Sequence, residues 1–236
     1  SSNIPLVNMI QVDLLEYARE ALPRAIPAMD GFNYSQRLGV WALLAYGGGK
    51  SDTLLGKVLE NFGYKHGVDS LYGAMAGMAV GYPGSNNLPI FRQAGNFGSR
   101  SRLGADLAGR RYTELTGRSY LSKIFRSEDK CILTHRSIHG KKCEPLVLLP
   151  IVPMWLVNGA VGIATGWATF IPQYNPYDVI DALIKLARHE PLPDAGLVPW
   201  YRHFKGEVML RTARNVDAVW EDVPGRQIKK GEQMVV

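Results

Sequence analysis

The sequence is 236 residues long, and its 46% hydrophobic content is enough for a sizeable core, which excludes an intrinsically disordered chain. Lysine and arginine outnumber aspartate and glutamate by 27 to 21, and the two cysteines are too few for a disulfide-rich scaffold. The N-terminus lacks the basic-then-apolar pattern of a signal peptide, so we expect a reducing, cytoplasmic location. Because the first residue is Ser1, we also expect a fragment of a longer protein or a processed chain.

Apolar residues at helical spacing predict four helices in the first third of the chain. They cover residues 9–22, 34–46, 52–62 and 69–81. Pro23 and Gly63 are predicted to end the first and third helices, and Ser51 and Asp69 are predicted N-caps. Short helices joined by a tight turn and followed by a basic loop and strands suggest a winged helix-turn-helix, an α+β arrangement that binds duplex DNA.

The positive charge is concentrated in residues 91–127. This segment has eight basic residues (Arg92, Arg100, Arg102, Arg110, Arg111, Arg118, Lys123 and Arg126) and two acidic residues (Asp106 and Glu114). Eight minus two is +6, which equals the net charge of the whole chain. Such a concentration predicts a polyanionic partner, nucleic acid before membrane. The Gly-, Asn- and Pro-rich stretch 82–104 predicts a functional loop, and its residues 95–100 offer amides and a guanidinium to phosphate oxygens.

The second half of the chain is predicted to form strands up to about residue 170, followed by a helix and a further strand. The predicted strands are residues 131–134, 146–152 and 163–170, with a hairpin of arms 131–135 and 143–149 around a turn at 140–142. No residue from 145 to 177 is charged, but prolines and an Asn-Gly turn break this run, so buried strands are predicted rather than a membrane-spanning helix. A helix at 177–188 and a strand at 204–214 follow, and a domain boundary is predicted near Pro172.

Two local motifs raise the question of a ligand site. Residues 47–51 end like a phosphate-binding loop, but the loop's first glycine is missing and the preceding pattern is helical, so a helix end and a new N-cap are preferred. Cys131, His135, His139 and Cys143 are possible zinc ligands. Their uniform spacing differs from paired-ligand zinc motifs, so a hairpin is the preferred interpretation.

Arg110-Arg111-Tyr112 is the group of residues with the clearest chemical potential. A phenol ordinarily has a pKa of about 10, so it needs help to act as a nucleophile. Neighbouring guanidinium groups favour phenolate and neutralise charge on a phosphate under attack. From the residue types alone two interpretations stay open: a nucleophile for DNA strand transfer, or a tyrosine packed at the edge of a basic DNA-binding surface.

Six blocks, in order, resemble the DNA breakage-reunion region of type IIA topoisomerases. They are residues 24–32 (RAIPAMDGF) with 36–37, 64–67 (YKHG) with 70–71, 84–87 (GSNN), 95–100 (GNFGSR), 111–114 (RYTE) and 156–167 (LVNGAVGIATGW). The resemblance extends to residues 199–206 and covers nearly the whole chain. The sequence is therefore identified as similar to that family along most of its length.

The resemblance implies roles for individual residues. Tyr112 is implied to attack a DNA phosphodiester and to become joined to the 5′ end of the cut strand, with Arg111 stabilising the pentacoordinate phosphorus. Arg24 and His66 are implied to lie near the scissile phosphate, and Ile163 to wedge between base pairs and bend the duplex. Together with the basic pattern, the expected DNA-contacting residues are Arg37, Lys65, Asn96, Ser99, Arg100, Arg110 and Ile163.

The same resemblance implies a domain plan and partners. A CAP-like winged helix-turn-helix domain is expected at residues 23–170, after an arm helix at 1–22 and before the start of a mixed α/β tower domain at 171–236. Mg²⁺ and ATP are expected to be bound by partner domains or a partner subunit. For the metal this agrees with the sequence, which has no Asp-x-Asp pair. The expected partners are double-stranded DNA and a second copy in a homodimer, with no membrane. The alternative function is a non-catalytic DNA-bending module.

Three positions depart from the family pattern. Asn33 stands where the family often has lysine, Lys65 where it often has a second histidine, and Val68 where it usually has an acid. Bacterial-looking and eukaryote- or phage-looking motifs are mixed. We therefore hypothesise a virus-encoded enzyme, such as the medium subunit of a T4-like phage topoisomerase.

Overall fold

The structure is a computed structural model that describes residues 6–193, 196–212, 218–223 and 226–227. It begins with a nearly continuous helical rod made of α1 (Leu6–Asn8), a π-helical stretch (Met9–Asp13) and α2 (Leu14–Ala25). The predicted helix at 9–22 is thus confirmed, but Pro23 lies inside the last turn, and the chain becomes extended only at Ile26. The large apolar side chains between Leu6 and Tyr17 are exposed, whereas Leu22 near the end of the rod is half-buried.

Three helices form the centre of the fold. They are α3 (Tyr34–Tyr46), α4 (Ser51–Phe62) and α5 (Val68–Gly77), with the short strand β1 (Gly49–Lys50) between α3 and α4. A capping box of Asn33 and Gln36 starts α3, and α3 packs against both α4 and α5. The predicted N-caps Ser51 and Asp69 are wrong, because both residues lie within the first helical turn.

The end of α5 also differs from the prediction of a helix to residue 81. The helix ends at Gly77 because other groups take its last carbonyls. Asn86 Nδ2 donates to the Gly77 carbonyl (2.7 Å), and the Ile90 N–H donates to the Met78 carbonyl (2.9 Å). The sequence pattern could not indicate these partners, since both come from the following loop.

A three-stranded antiparallel sheet packs beside these helices. It has the order β1-β3-β2, with β2 (Phe91–Ala94) and β3 (Glu114–Gly117). Residues 95–113, which include much of the basic segment, are therefore an excursion between two neighbouring strands. Gly48 allows β1 to approach β3, because a Cβ there would lie 2.4 Å from Thr116 Cα. The prediction of an unbroken loop at 82–104 is wrong, because strand β2 lies within it. The four residues of β2 are too few to show an alternation of apolar and polar side chains in the sequence.

A short helix and a hairpin follow. They are α6 (Leu121–Ile124), β4 (His135–Ile138) and β5 (Lys141–Pro145), and α7 (Met154–Val157) comes next. The predicted hairpin exists, but its turn is His139-Gly140, with φ of 49° and 76°, rather than 140–142. The strands predicted at 131–134 and 146–152 are wrong. Residues 127–131 form a 3₁₀ turn, and Pro150 lacks the N–H group that the middle of a strand at 146–152 would need.

The last described part contains a second hairpin, a helix and a small sheet. These elements are β6 (Ala160–Ala164), β7 (Trp167–Ile171), α8 (Pro176–Ala187), β8 (Met209–Thr212), β9 (Ala218–Val223) and β10 (Arg226–Gln227). The single strand predicted at 163–170 is wrong, because Thr165-Gly166 is the turn between β6 and β7. The predicted helix at 177–188 is confirmed as α8. The predicted strand at 204–214 corresponds only to β8, and residues 213–214 lie outside the described residues.

The core lies between α3, α4, α5 and the three-stranded sheet. Its fully buried members include Leu38, Leu55, Leu71, Met75, Phe91 and Leu115. Asn87 connects this core to the region after Pro172, because its Nδ2 donates to the carbonyls of Tyr174 (3.0 Å) and Trp200 (2.8 Å). Among the described residues, no helix is long and apolar enough to cross a bilayer.

Candidate functional site

Tyr112 ends a single 3₁₀ turn, Arg110–Tyr112, immediately before β3. Its side chain is 74% exposed, and its N–H donates to the Gly109 carbonyl (2.9 Å). The phenol borders an open recess of about 500 Å³ that Asp69, Tyr72 and residues 107–111 also line. The turn therefore presents the hydroxyl to solvent on a short, tightly folded support.

Hydrogen bonds of Thr113 fix the C-terminal end of this turn. Thr113 is buried, and its Oγ1 lies 2.9 Å from both Tyr72 Oη and Ser51 Oγ. The Ser51 N–H also donates to the Thr113 carbonyl (3.0 Å), and Tyr72 Oη donates to the Ala108 carbonyl (2.7 Å). Burial raises the pKa of Tyr72, so this hydroxyl stays a neutral donor. The N-terminal halves of α4 and α5 thus support the chain on either side of Tyr112.

The two arginines of the turn have different surroundings. Arg110 Nε lies 2.5 Å from Asp52 Oδ1, and its Nη1 lies 2.5 Å from Asp69 Oδ1. These carboxylates raise the pKa of Arg110. Arg111 is exposed and, in the described part of the chain, makes no ion pair or side-chain hydrogen bond. Arg111 is therefore the guanidinium beside Tyr112 that is available to a phosphate.

The loop from Gly95 to Leu107 is held by its own polar groups. Asn96 Nδ2 donates to the Asp106 carbonyl (2.8 Å), and Asn96 Oδ1 accepts from the Gly98 N–H (2.9 Å). The Ser99 N–H donates to Asp106 Oδ1 (2.8 Å), and this bond is the main reason why the pKa of Asp106 is lowered. Asn96 and Ser99 thus shape the loop through internal bonds, whereas Arg100 extends from it into solvent.

Arg24 and Ile163 lie at a second recess. Both residues line an open cavity of about 600 Å³, together with Ser70 and Ala74 of α5. Ile163 is 72% exposed near the tip of the β6–β7 hairpin, so the prediction of a buried strand here is wrong. The hairpin lies close to α2, because a Cβ at Gly162 would be 2.2 Å from the Ala25 carbonyl oxygen.

Helix α5 connects the two recesses. Its residues Asp69, Tyr72 and Gly73 border the recess of Tyr112, and Ser70 and Ala74 border the recess of Arg24 and Ile163. The structure therefore brings five of the predicted site residues to two adjoining parts of one surface: Arg110, Arg111 and Tyr112 at one recess, and Arg24 and Ile163 at the other. The N-terminal half of α5 lies between them.

His66 and Lys65 lie in the connection between α4 and α5. His66 is half-buried and makes an edge-on contact with the Tyr64 ring, with centroids 5.3 Å apart. Tyr64 Oη lies 3.1 Å from Ser35 Oγ, which fixes this connection to α3. Lys65 is exposed. Both predicted phosphate-binding residues are thus accessible just before α5.

Arg37 does not fit the prediction of a DNA contact. Its side chain is only 7% exposed, and it forms a buried ion pair with Asp30, with Nε 2.6 Å from Oδ2. Arg37 Nη2 also donates to the Phe32 carbonyl (2.7 Å), and Asp30 Oδ2 accepts from the Leu148 N–H (2.9 Å). We correct the prediction, because this guanidinium is committed to holding the residue 30–32 turn against α3.

Comparisons with known proteins agree with this arrangement of motifs. The family model for the A subunit of DNA gyrase/topoisomerase IV matches residues 24–233. The chain belongs to this family. The resemblance to the breakage-reunion region of type IIA topoisomerases is thereby confirmed.

Individual relatives of this topoisomerase chain come from several eukaryotes. It is 36% identical to DNA topoisomerase 2 of Candida albicans over 88% of its length, and 37% identical to the Arabidopsis thaliana protein over 85%. A crystal structure of the Plasmodium falciparum topoisomerase II DNA-binding, cleavage and re-ligation domain matches with a TM-score of 0.82 and 34% identity. The match covers 90% of this chain and 29% of that one, and the chain spans only 14% of the two relatives. The α+β fold class is confirmed.

The described residues of the topoisomerase chain form neither a cluster of three metal-ligating side chains nor a free phosphate-binding loop at residues 47–51. No three His, Cys, Asp or Glu side chains of this part of the chain come together as a possible metal site. Residues 49–50 pair with β3 as strand β1, and Gly48 packs on Thr116, so residues 47–51 are not a free phosphate-binding loop.

Several residues of the site were not predicted from the sequence. Asp52, Tyr72 and Thr113 support the tyrosine turn, although Arg110 and Asp52 are 58 positions apart and Tyr72 and Thr113 are 41 apart. No local sequence motif indicates pairs this far apart. The sequence does place Asp52 and Asp69 in the first turns of two helices, but acids are common there because they interact favourably with the helix dipole.

Proposed function

We propose that this chain is the DNA-cleaving and religating segment of an ATP-dependent type IIA topoisomerase. The observation that carries the proposal is the geometry at Tyr112, an exposed phenol on a turn supported by two helices. The guanidinium of Arg111 lies next to it and has no protein partner among the described residues. Together with the family membership, this geometry favours a nucleophile over a tyrosine packed at a surface edge.

The proposed reaction exchanges one phosphate ester for another. Tyr112 Oη forms a bond to a DNA phosphorus while the bond from phosphorus to the 3′ oxygen breaks. The phenol loses its proton, and the 3′ oxygen gains one, leaving a 5′-phosphotyrosyl link and a free 3′ hydroxyl. Because an ester replaces an ester, the reverse attack reseals the strand without added energy. Positioning and charge stabilisation supply most of the catalysis.

Basic residues around α5 fit the supporting roles. Arg111 is proposed to stabilise the pentacoordinate phosphorus, and Arg24 and His66 to act near the same phosphate. Lys65 and Arg100 are proposed as contacts to the DNA backbone, because both are exposed. Asn96 and Ser99 retain only part of their hydrogen-bonding capacity for DNA, since the loop uses the rest.

Ile163 is proposed to insert between base pairs. An isoleucine that is 72% exposed near a hairpin tip gains little from packing within the chain, and apolar wedges of this kind kink duplexes. The unstacking cost is offset when the bent duplex makes further contacts. This feature alone would also suit the alternative function, a DNA-bending module without chemistry.

The domain plan, cofactors and source of the parent protein also belong to this proposal. The expected plan keeps an arm helix at 1–22, a winged-helix domain at 23–170 and the start of a tower domain at 171–236. Mg²⁺ and ATP would be bound by other segments or a partner subunit, in a homodimeric, cytoplasmic enzyme. The mixed motifs support a virus-encoded parent, which the genes next to its coding sequence will test.

Relaxation of supercoiled DNA tests the proposed chemistry. The parent protein, assembled with its ATPase and metal-binding segments, is compared with its Tyr112→Phe variant, which we expect to lose strand passage completely. Tyr177→Phe is the matched control, because Tyr177 is equally exposed (78%) but lies on α8. Normal relaxation by Tyr112→Phe would reject the proposal, and DNA bending without relaxation by the wild type would favour the alternative.

A further inference from the structure

Arg110 connects three elements of the fold. Its Nε lies 2.5 Å from Asp52 in the first turn of α4, and its Nη1 lies 2.5 Å from Asp69 in the first turn of α5. Arg110 itself begins the 3₁₀ turn that carries Tyr112. One guanidinium therefore joins the tyrosine turn to the N-terminal ends of two different helices.

The opposite end of the turn is attached to the same two helices. Thr113 follows Tyr112 directly, and its hydroxyl lies 2.9 Å from Ser51 of α4 and from Tyr72 of α5. Residues 110 and 113 are thus both anchored, while Arg111 and Tyr112 between them are exposed. Because the turn is held at both ends, the backbone that carries the Tyr112 side chain can shift only if one anchor opens.

We propose that Arg110 is a positioning residue, which fixes the Tyr112 turn through Asp52 and Asp69 instead of contacting a DNA phosphate. The proposal rests on the function proposed above. This role replaces the expected DNA contact of Arg110, because two nitrogens of its guanidinium already donate to carboxylates. Arg111, one residue further along, keeps its donors for the phosphate.

The size of the expected effect follows from the exposure of these groups. The side chains of Arg110, Asp52 and Asp69 are 37%, 48% and 88% exposed, and exposed ion pairs contribute little to global stability. A misplaced reacting group, in contrast, can cost about a hundred-fold in rate. Loss of the Arg110 ion pairs should therefore slow cleavage while hardly changing the unfolding transition.

A competing explanation is simple charge neutralisation. Without Arg110, two unpaired carboxylates would lie beside the bound phosphate and repel it. The variant Arg110→Met/Asp69→Asn separates the two explanations, because it removes the ion pairs but keeps the net charge of the wild type. Arg110→Lys keeps the charge but lacks the planar fork that spans two carboxylates.

The experiment measures the rate of covalent adduct formation by the full parent protein at saturating DNA, together with the Kd for DNA. We expect Arg110→Met and the charge-matched double variant to lose about ten- to a hundred-fold in rate, with Kd changed less than about three-fold in the double variant. Arg110→Lys should be intermediate in rate. Wild-type rates in the double variant or in Arg110→Lys would overturn the proposal. The proposal would also be overturned if Arg110→Met cleaved at the wild-type rate but bound DNA more weakly and with a smaller salt dependence. That result would show that Arg110 contacts a DNA phosphate.

A second readout does not depend on cleavage. Amide hydrogen exchange of residues 109–113 should accelerate in the double variant, whereas exchange in α3 should stay unchanged. If wild-type protein forms no adduct but the double variant still loosens this turn, the proposed function fails and the structural role of Arg110 stands. If exchange and rate are both unaffected while Tyr112→Phe is inactive, only the Arg110 proposal fails.

Discussion

Three arginines of this chain differ in what their guanidinium groups contact. Arg37 is buried against Asp30, Arg110 joins two exposed carboxylates, and Arg111 is free of protein partners among the described residues. The sequence motifs group all three as basic residues near DNA. Their roles separate only once the partners are known, since the carboxylates determine which donors remain for a phosphate.

Replacing Arg37 by methionine should destabilise the fold. The change leaves Asp30 as a buried charge without its partner, and the expected loss is about 3–5 kcal/mol of unfolding free energy. Urea denaturation of the chain measures it. Arg126→Met is the control, because the Arg126–Glu128 pair is exposed and long at 3.4 Å, and its loss should cost under about 1 kcal/mol. Equal stability of the two variants would contradict the structural role of Arg37.

Replacing Ile163 by alanine should reduce DNA bending without affecting stability. The side chain is 72% exposed, so we expect a change in unfolding free energy within about 0.5 kcal/mol. In the complex with the variant, fluorescence resonance energy transfer between dyes at the two ends of a duplex should fall toward the value for unbound DNA. The matched variant Val161→Ala alters the same hairpin, where Val161 is 54% exposed but further from the tip. An equal loss of bending in both variants would argue against a wedge at Ile163.

The elements differ in how far the sequence predicts them. Helices α3 and α8 have clear apolar periodicity and caps at Asn33 and Asn175, and the predicted ranges agree with the structure. Strands β2 and β3 have four residues each, and their pairing depends on contacts across the 95–113 excursion. For the uncharged run after Pro145 the prediction of buried strands is wrong, because apolar composition alone does not distinguish a core strand from an exposed hairpin.

The 95–107 loop should lose order in acid. The Ser99 N–H lowers the pKa of Asp106 below its ordinary value of 3.8, so the carboxylate stabilises the folded loop above that pH. This stabilisation is lost as the pH falls through the lowered folded pKa. A nuclear magnetic resonance titration of the Ser99 amide should have its midpoint below pH 3.8, and Asp106→Ala should abolish that step. A midpoint above 3.8 would show that this bond does not hold the loop.

For the whole molecule, the charge distribution and the shape of the surface both indicate duplex DNA as the partner. Three of the six exposed basic residues of segment 91–127 (Arg100, Arg102 and Arg111) lie on the 95–113 excursion, and α5 continues this surface to the recess of Arg24 and Ile163. The sequence located the segment because charge is visible in composition. It could not indicate the two recesses, which residues distant in sequence assemble around α5.

DNA binding by this surface should weaken steeply with salt. Each phosphate contact releases counterions, so log K should fall linearly with log salt, and Arg100→Gln should reduce the slope by about 1. Arg118→Gln is the control, because the Arg118 Nε already donates to the Phe91 carbonyl (3.1 Å). A slope that does not change in Arg100→Gln would remove Arg100 from the DNA interface.

In the proposed reaction the Tyr112 hydroxyl carries the cut DNA strand. The most direct measurement is to stop the parent protein with denaturant during cleavage, digest the trapped complex and locate the nucleotide by mass spectrometry. We expect a 5′-phosphate ester on Tyr112 in the wild type and none in Tyr112→Phe. A nucleotide attached to any other side chain, or no adduct from a preparation that relaxes supercoiled DNA, would contradict it.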